Sequence, residues 1–231
     1  MEVIRLLAID PGIVNLAMCV LEWDVAEPPP PALSLTSLNG CLVDGRLRVV
    51  EWLVLPLLAS GRSGSIPAVL SGVVDFLLAR AELMRSLHYV VIEQQMKASM
   101  KQVAACLYGG IRALCPRAAV TLQSAALKLA FGDLAAFSPD FSALATYAQR
   151  KKAAIAAASR LLPALAPAQA DVFRRSKKKD DLADALLHGL AGCCTVGPAA
   201  ARRRATGPGE GGPAKRARGS PSLRGAADAA G

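Results

Sequence analysis

Apolar runs and sharp polar turns alternate at the start of the chain. The apolar stretches at residues 3–9 and 15–22 predict two buried strands, joined by an Asp-Pro-Gly turn at 10–12. More strand material lies at 41–55, with an Asp-Gly turn at 44–45. We therefore expect three antiparallel strands at the front of the chain.

Helical spacing of apolar residues takes over in the middle of the chain. Ser65 followed by Pro67 is typical of a helix start, and the apolar residues that follow lie on one helical face. A strand is predicted at 89–93, a second helix at about 97–115 and a last strand at 118–123. The order βββαβαβ favours an α/β fold with a mixed sheet covered by helices, because a helix between two strands favours a parallel crossover.

The last third of the chain is predicted to be helical and then irregular. An Ala-rich stretch at 144–163 favours a helix, and a Lys/Arg/Ser linker at 174–179 leads to a short helix at 180–194. Beyond that helix, 12 of 35 residues are Gly or Pro, and few could build a core. The chain is therefore predicted to form one domain at 1–196, followed by a disordered basic tail at 197–231.

The composition is that of a globular protein. With 231 residues and 53% apolar side chains, the chain can bury a sizeable core. No apolar stretch approaches the roughly 20 residues that span a bilayer, and the strand pattern begins at once, which leaves no room for a signal peptide. We expect a soluble, intracellular protein that does not bind membranes.

The net charge of +9 is concentrated late in the chain. Residues 144–179 carry 9 Lys/Arg against 1 Asp/Glu, whereas residues 180–196 carry three aspartates and no Lys or Arg. A basic segment beside an acidic cluster suggests a polyanion, such as a nucleic acid, held next to a cation site. The alternative is a solvated basic helix that happens to precede an acidic helix start.

Four carboxylates lie where they could form such a cation site. Asp10 follows the first strand and Glu93 ends the fourth, whereas Asp181 and Asp184 are three residues apart on one helix face. They can converge if the first and fourth strands are adjacent and the last helix packs across their ends. The six cysteines form no CxxC pair and the two histidines are far apart, so any metal would need oxygen ligands. Oxygen ligands favour Mg²⁺ or Mn²⁺, and two such ions about 4 Å apart can bridge a phosphodiester.

Each of these acidic residues also has an ordinary structural explanation. Asp10 suits a turn before Pro-Gly. Asp180 and Asp181 suit the start of a helix, and Glu93 could pair with Lys97 one turn later. Taken together, the four carboxylates favour a shared site. Asp184 lies past the helix start among apolar neighbours, where a carboxylate needs a partner.

Three motifs resemble the acidic motifs of the RuvC-type Holliday junction resolvases, within the ribonuclease H-like superfamily. They are IDPGIVNLA (9–17), VVIEQQ (90–95) and KKDDLADALLH (178–188). The motifs are most similar to those of the poxvirus resolvases, with the mitochondrial and iridovirus enzymes as relatives. The resemblance spans about residues 3–196.

The resemblance implies a ribonuclease H-like α/β fold, with a mixed five-stranded sheet flanked by helices. It implies a Mg²⁺-dependent endonuclease that resolves four-way DNA junctions by paired phosphodiester hydrolysis, in recombination and in the processing of replicated viral genomes. The family's metal-binding carboxylates fall on Asp10, Glu93, Asp181 and Asp184. The choice between Asp180 and Asp181 as the ligand stays open.

The resemblance also implies a DNA-binding and catalytic role for the helix that contains QRKKAAI. Its basic residues are Arg150, Lys151 and Lys152, of which Lys151 is the first choice and Lys152 the second for the catalytic role. Such enzymes are homodimers and use no small-molecule cofactor. A poxviral protein would act in the host cytoplasm, at sites of viral replication, and the sequence leaves the nucleus and the mitochondrion open.

Two other functions compete with the nuclease. A DNA-binding protein of the same fold without catalytic activity is one of them, although four carboxylates facing phosphate would contribute nothing to affinity. An actin-like or sugar-kinase-type phosphotransferase is the other, with Gly12 letting a phosphate approach the backbone. Those folds need a second phosphate loop and a longer chain.

Overall fold

The computed structural model describes residues 2–25, 44–58, 64–125 and 146–205. Most of the predicted tail lies outside these residues. None of the described helices is long and apolar enough to span a membrane.

The described residues form strands and helices in the predicted order βββαβαβ, followed by helices. The strands are β1 Glu2–Pro11, β2 Asn15–Val25, β3 Leu47–Pro56, β4 Tyr89–Glu93 and β5 Ala119–Gln123. The helices are α1 Ile66–Ala79, α2 Ala81–Arg85, α3 Ala98–Leu114, α4 Tyr147–Leu165, α5 Ala170–Arg175 and α6 Lys179–Ala205, with a 3-10 turn at Pro167–Gln169. The predicted turn before β3 is present, and Gly45 adopts the positive φ of 65° that favours glycine.

The strands form one mixed sheet in the order β3-β2-β1-β4-β5. The three front strands pair antiparallel, whereas β4 and β5 run parallel to β1. Strand β1 therefore lies at the centre and has β4 as a direct neighbour, as the predicted site requires. The predicted α/β architecture, a mixed five-stranded sheet flanked by helices, is confirmed.

Each face of the sheet is covered by its own helical layer. Helices α4, α5 and α6 bury one face, and α1, α2 and α3 bury the other. Alternate side chains of β1 enter the two cores, so this strand is apolar on both faces, as expected for a central strand. The two layers differ in role, because α6 crosses β1, β2 and β4 on the face that carries the candidate site.

One helix is longer than the sequence predicts, and another continues past its predicted end. The short helix predicted at 180–194 continues to Ala205, because the Ala and Arg residues at 199–204 have high helix propensity. Helix α4 continues past Pro163, where burial of the surrounding leucines outweighs the loss of a backbone hydrogen bond. The domain boundary at residue 197 stays a prediction.

Glycine allows α6 to approach the sheet closely. A Cβ atom at Gly192 would lie 2.9 Å from Leu6 Cδ1 and 3.0 Å from Val91 Cγ1. One turn earlier, a Cβ atom at Gly189 would lie 2.8 Å from Leu21 Cδ1. The helix backbone therefore packs directly against the side chains of the central strands. This close packing fixes the distance of its aspartates from the sheet.

A pair of matched substitutions tests this close packing. Gly192→Ala should lower the free energy of unfolding by about 1–2 kcal/mol, because the new methyl group overpacks the core. Gly109→Ala in α3, where nothing lies within 4 Å of the added atom, should raise it by up to about 1 kcal/mol through helix propensity. Urea unfolding measures both variants, and equal changes would contradict the close approach of α6.

Candidate active site

Strand alternation turns Asp10 and Glu93 toward α6. In β1, Leu6 and Ala8 belong to the core under α6, so Asp10 points to the same side of the sheet. In β4, Val91 belongs to that core, and Glu93 follows two residues later. Both carboxylates therefore end an apolar row on the face that α6 covers.

The strand register places the same two carboxylates side by side. Strands β1 and β4 pair in parallel with Ile9 opposite Ile92, so Asp10 and Glu93 are the next residues of each strand. Glu93 is in turn opposite Gln123, the last residue of β5. Three neighbouring strands thus end in polar side chains at one edge of the sheet, the usual place for a site in sheets with parallel strands.

The first turns of α6 are anchored from the opposite edge of the sheet. The buried indole of Trp52 on β3 donates a hydrogen bond of 2.8 Å to the carbonyl oxygen of Leu182. Trp52 also stacks on Phe173 of α5, with ring centroids 4.9 Å apart. Because Leu182 lies between Asp181 and Asp184, this contact fixes the part of α6 that carries both aspartates.

All four predicted carboxylates line one cleft of about 720 Å³. The polar and charged side chains of this cleft are Asp10, Asn15, Glu93, Gln95, Tyr147, Arg150, Lys151, Lys178, Asp181 and Asp184. Gln95 Nε2 donates to Asp10 Oδ1 over 3.4 Å. The cleft therefore combines acidic and basic side chains in one lining.

Two of the basic residues come from the start of α4, which begins with a capping box. Thr146 Oγ1 accepts a hydrogen bond of 3.2 Å from the backbone of Gln149, whose Oε1 accepts one of 2.9 Å from the backbone of Thr146. This arrangement satisfies donors that would otherwise lack partners at a helix start. It fixes the first turn of the helix, from which Arg150 and Lys151 reach the cleft.

Lys151 is held by a close ion pair with Asp180. This hydrogen bond raises the pKa of Lys151 against the opposing effect of partial burial, and Tyr147 contributes in the same direction. The Lys151 ammonium group also lies 5.0 Å from the centre of the Tyr147 ring. Lys151 is therefore a fixed cation at neutral pH, suited to neutralise charge and not to exchange protons.

Asp180 and Asp181 differ in environment although they are neighbours in sequence. Partial burial would raise the pKa of Asp180, but the hydrogen bond from Lys151 lowers it below the ordinary value. The pKa of Asp181 is raised, first by burial and then by repulsion from Asp180, with a smaller contribution from Asp184. Lys178, 3.7 Å from Asp181 Oδ2, offsets part of this repulsion. Additional positive charge beside Asp181 would therefore stabilise its ionised form.

The chemistry of the cleft fits a divalent cation held by oxygen atoms. Carboxylates are the ligands that Mg²⁺ and Mn²⁺ prefer. A bound cation would lower the pKa of Asp181, against the burial and the repulsion that raise it. Among the described residues, no three His, Cys, Asp or Glu side chains are already close enough together to hold a metal ion. The fit therefore rests on the type of donor and on the charge of the cleft.

The structure separates the candidates that the sequence left together. Lys151 lines the cleft, whereas Lys152 is exposed on α4 and is not among the lining residues. Asp181 lines the cleft, whereas Asp180 pairs with Lys151. The geometry thus favours Lys151 over Lys152 and Asp181 over Asp180, and the roles of these residues stay predictions.

Several residues at the site were not predicted from the sequence, and His188 is the most deeply buried of them. His188 is fully buried in α6, and its Nε2 atom lies 2.8 Å from Glu93 Oε2. The two histidines of the chain are too far apart to predict a metal site, and no other role is predicted for them. The signal that was missed is spacing, because His188 follows Asp184 by four residues and so shares its helix face.

Comparisons with known proteins give only distant likenesses. No protein-family model and no curated protein sequence matches the chain. Thermus thermophilus RuvC is 14% identical with a TM-score of 0.49, over 84% of this chain and 95% of that chain. The same protein in complex with a Holliday junction substrate is 14% identical with a TM-score of 0.48, over 84% and 94%. A Ppx/GppA family protein from Aquifex aeolicus is 12% identical with a TM-score of 0.30, over 56% and 40%. Likenesses this distant assign neither residues nor activity to the chain.

The ion pair of Lys151 with Asp180 should contribute to stability in a pH-dependent way. Asp180→Asn should lower the free energy of unfolding by about 1 kcal/mol at neutral pH. Because the pKa of Asp180 is lowered in the folded state, this difference from wild type should vanish as the pH falls through that lowered value. Urea unfolding over a series of pH values measures it.

Asp171→Asn is the matched control for this measurement. It removes an ion pair with Arg174 whose side chains are 67% and 71% exposed, so its effect on unfolding should be close to zero at every pH. Equal effects of the two substitutions would show that the Lys151 pair is no stronger than an ordinary surface pair.

Proposed function

We propose that the chain is a Mg²⁺-dependent, structure-specific endonuclease that resolves four-way DNA junctions. The three ordered motifs of the sequence support this activity, and so does the meeting of their acidic residues in one cleft. We further propose that the protein acts as a homodimer of the poxvirus type, in which each subunit cuts one of two symmetric strands.

The observation that carries the proposal is the composition of the cleft. Four carboxylates from β1, β4 and α6 line it together with Arg150 and Lys151 from α4. Carboxylates alone would repel a DNA phosphate, and basic residues alone would bind DNA without a reason to keep four acids nearby. A phosphodiester and a divalent cation together satisfy both sets of side chains.

The side chains divide the work of phosphodiester hydrolysis between them. Asp10, Glu93, Asp181 and Asp184 would hold the cation, with Mn²⁺ able to replace Mg²⁺. When bound, Mg²⁺ supplies Lewis-acid stabilisation of negative charge on the phosphate and activates water for attack. Lys151, held as a cation by Asp180, stabilises the charge that develops on the phosphate, and Arg150 binds the DNA backbone.

A DNA-binding protein without catalytic activity is the competing function. It would use the same basic residues of the cleft to bind the DNA backbone. Both proteins would bind junctions, so binding alone does not separate them. Cleavage of a labelled four-way junction in the presence of Mg²⁺, compared with a linear duplex, separates them directly.

Removal of single carboxylates should abolish cleavage and spare binding. We expect Asp10→Asn, Glu93→Gln and Asp184→Asn each to slow junction cleavage by about 100-fold or more, because these groups act on charge in the transition state. Junction affinity, measured without metal by gel shift, should stay near that of wild type.

The exposed Asp75 on α1, in the layer away from the cleft, provides the matched control. Asp75→Asn should cleave junctions at the wild-type rate. A cleft variant that cleaved as fast as this control would have no catalytic role at that position. Loss of junction binding in all three cleft variants would indicate misfolding.

Basic residues of α4 should determine how strongly salt weakens DNA binding. Arg150→Gln combined with Lys152→Gln should reduce the slope of log affinity against log salt by up to about 2, because each lost phosphate contact removes about 0.9. The exposed Arg85 and Arg117 precede β4 and β5 at the opposite end of the sheet, and neutralising both is the charge-matched control. If the two double variants changed the slope equally, the DNA surface would not lie on α4.

A further inference from the structure

His188 is a buried titratable residue in an apolar core. It lies among the core leucines and alanines of α6 and has no exposed surface. Its Nε2 atom makes no regular hydrogen bond within the described part of the chain, but Glu93 Oε2 lies only 2.8 Å away. A ring N–H and a carboxylate oxygen this close attract each other, and a small rotation of the carboxylate would give the contact regular hydrogen-bond geometry when Nε2 carries a hydrogen.

The other side of the imidazole ring has polar support. His188 Nδ1 lies 3.4 Å from Gln123 Oε1, and Gln123 is itself only 4% exposed. Gln123 Nε2 donates to Thr195 Oγ1 over 3.2 Å, and Thr195 donates to the carbonyl oxygen of Ala191 over 3.0 Å. A chain of polar contacts thus runs from the cleft, through His188, to the later turns of α6.

This row of buried polar contacts lowers the stability of the fold compared with an apolar core. Buried polar groups lose their hydration, and an apolar side chain of similar size would satisfy this core position without any partner. The chain ends on a carboxylate that the proposed function assigns to the metal. Metal-binding carboxylates are commonly oriented by hydrogen-bonding neighbours that do not touch the metal.

We propose that His188 is a positioning residue that fixes the orientation of Glu93. This inference rests on the metal role proposed for Glu93. In this role both ring nitrogens donate, Nδ1 to Gln123 Oε1 and Nε2 to one carboxylate oxygen of Glu93, so His188 acts as an imidazolium. Its pairing with that oxygen directs the other Glu93 oxygen toward the cleft. Gln123 prevents the imidazole from turning away, and the Thr195 contact holds Gln123 in place. His188 itself contacts neither metal nor DNA.

Metal affinity in the absence of DNA tests the proposal apart from catalysis. The probe is Mn²⁺, and its free concentration is followed by electron paramagnetic resonance during titration of the full-length protein. His188→Met, which keeps the volume and removes both nitrogens, should weaken Mn²⁺ binding by about 10-fold or more. His188→Gln, whose amide can donate in the place of Nε2, should restore most of the affinity.

His88→Met is the matched control. His88 Nδ1 accepts a hydrogen bond of 3.1 Å from the backbone of Arg5, at the opposite end of the same two strands. Loss of this histidine should leave the Mn²⁺ affinity unchanged. Should His188→Met fail to fold, Gln123→Met takes its place, and a drop of several-fold in Mn²⁺ affinity is expected.

The outcomes separate this inference from the proposed nuclease. Equal Mn²⁺ affinity of wild type and His188→Met would overturn the positioning role and leave the nuclease standing. So would an equal loss in His88→Met, or a folded His188→Gln that regains no affinity. The predicted pattern of Mn²⁺ affinities without junction cleavage by wild type would overturn only the nuclease. A wild-type protein that binds no Mn²⁺ would overturn both.

Discussion

The site depends on one constraint, the pairing of β1 with β4 in a fixed parallel register. Side chains of a strand alternate between faces, so a shift of one residue would turn Asp10 or Glu93 into the other helical layer. The two apolar rows beneath these carboxylates prevent such a shift, because it would expose the buried residues of both cores. The stability of the sheet and the placement of the acidic pair therefore have the same cause.

Charge in the cleft is balanced by helices and not by the sheet. The sheet brings Asp10 and Glu93 together, and α6 adds Asp181 and Asp184 above them. The compensating cations come from the start of α4 and from Lys178, just before α6. The cleft would therefore offer carboxylates to a cation and positively charged side chains to a phosphate group.

Local patterns predict the fold well and the contacts of the site only in part. Asp10 and Glu93 could be predicted because strand ends and alternation are visible in a few neighbouring residues. The choice between Lys151 and Lys152 needed the face of α4 that meets α6, a tertiary property. The contact of His188 with Glu93 joins residues 95 positions apart, so no local pattern could reveal the partner. The extra length of α6 is not predicted because Gly197 and Pro198 favour the end of a helix, although Ala and Arg follow them.

The distribution of the four carboxylates along the chain links ligand binding to completion of folding. Asp10 and Asp184 are far apart in the sequence, so a chain made only as far as residue 180 cannot contain the whole cleft. Any ion that bridges these groups would bind the native state and not the unfolded one, and would stabilise it by an amount that grows with the logarithm of its concentration above the dissociation constant. Such an ion would slow unfolding to the extent that its site is not yet formed in the folding transition state. A nascent or truncated chain that ends before Asp184 would carry Asp10 and Glu93 but could not form the complete cleft.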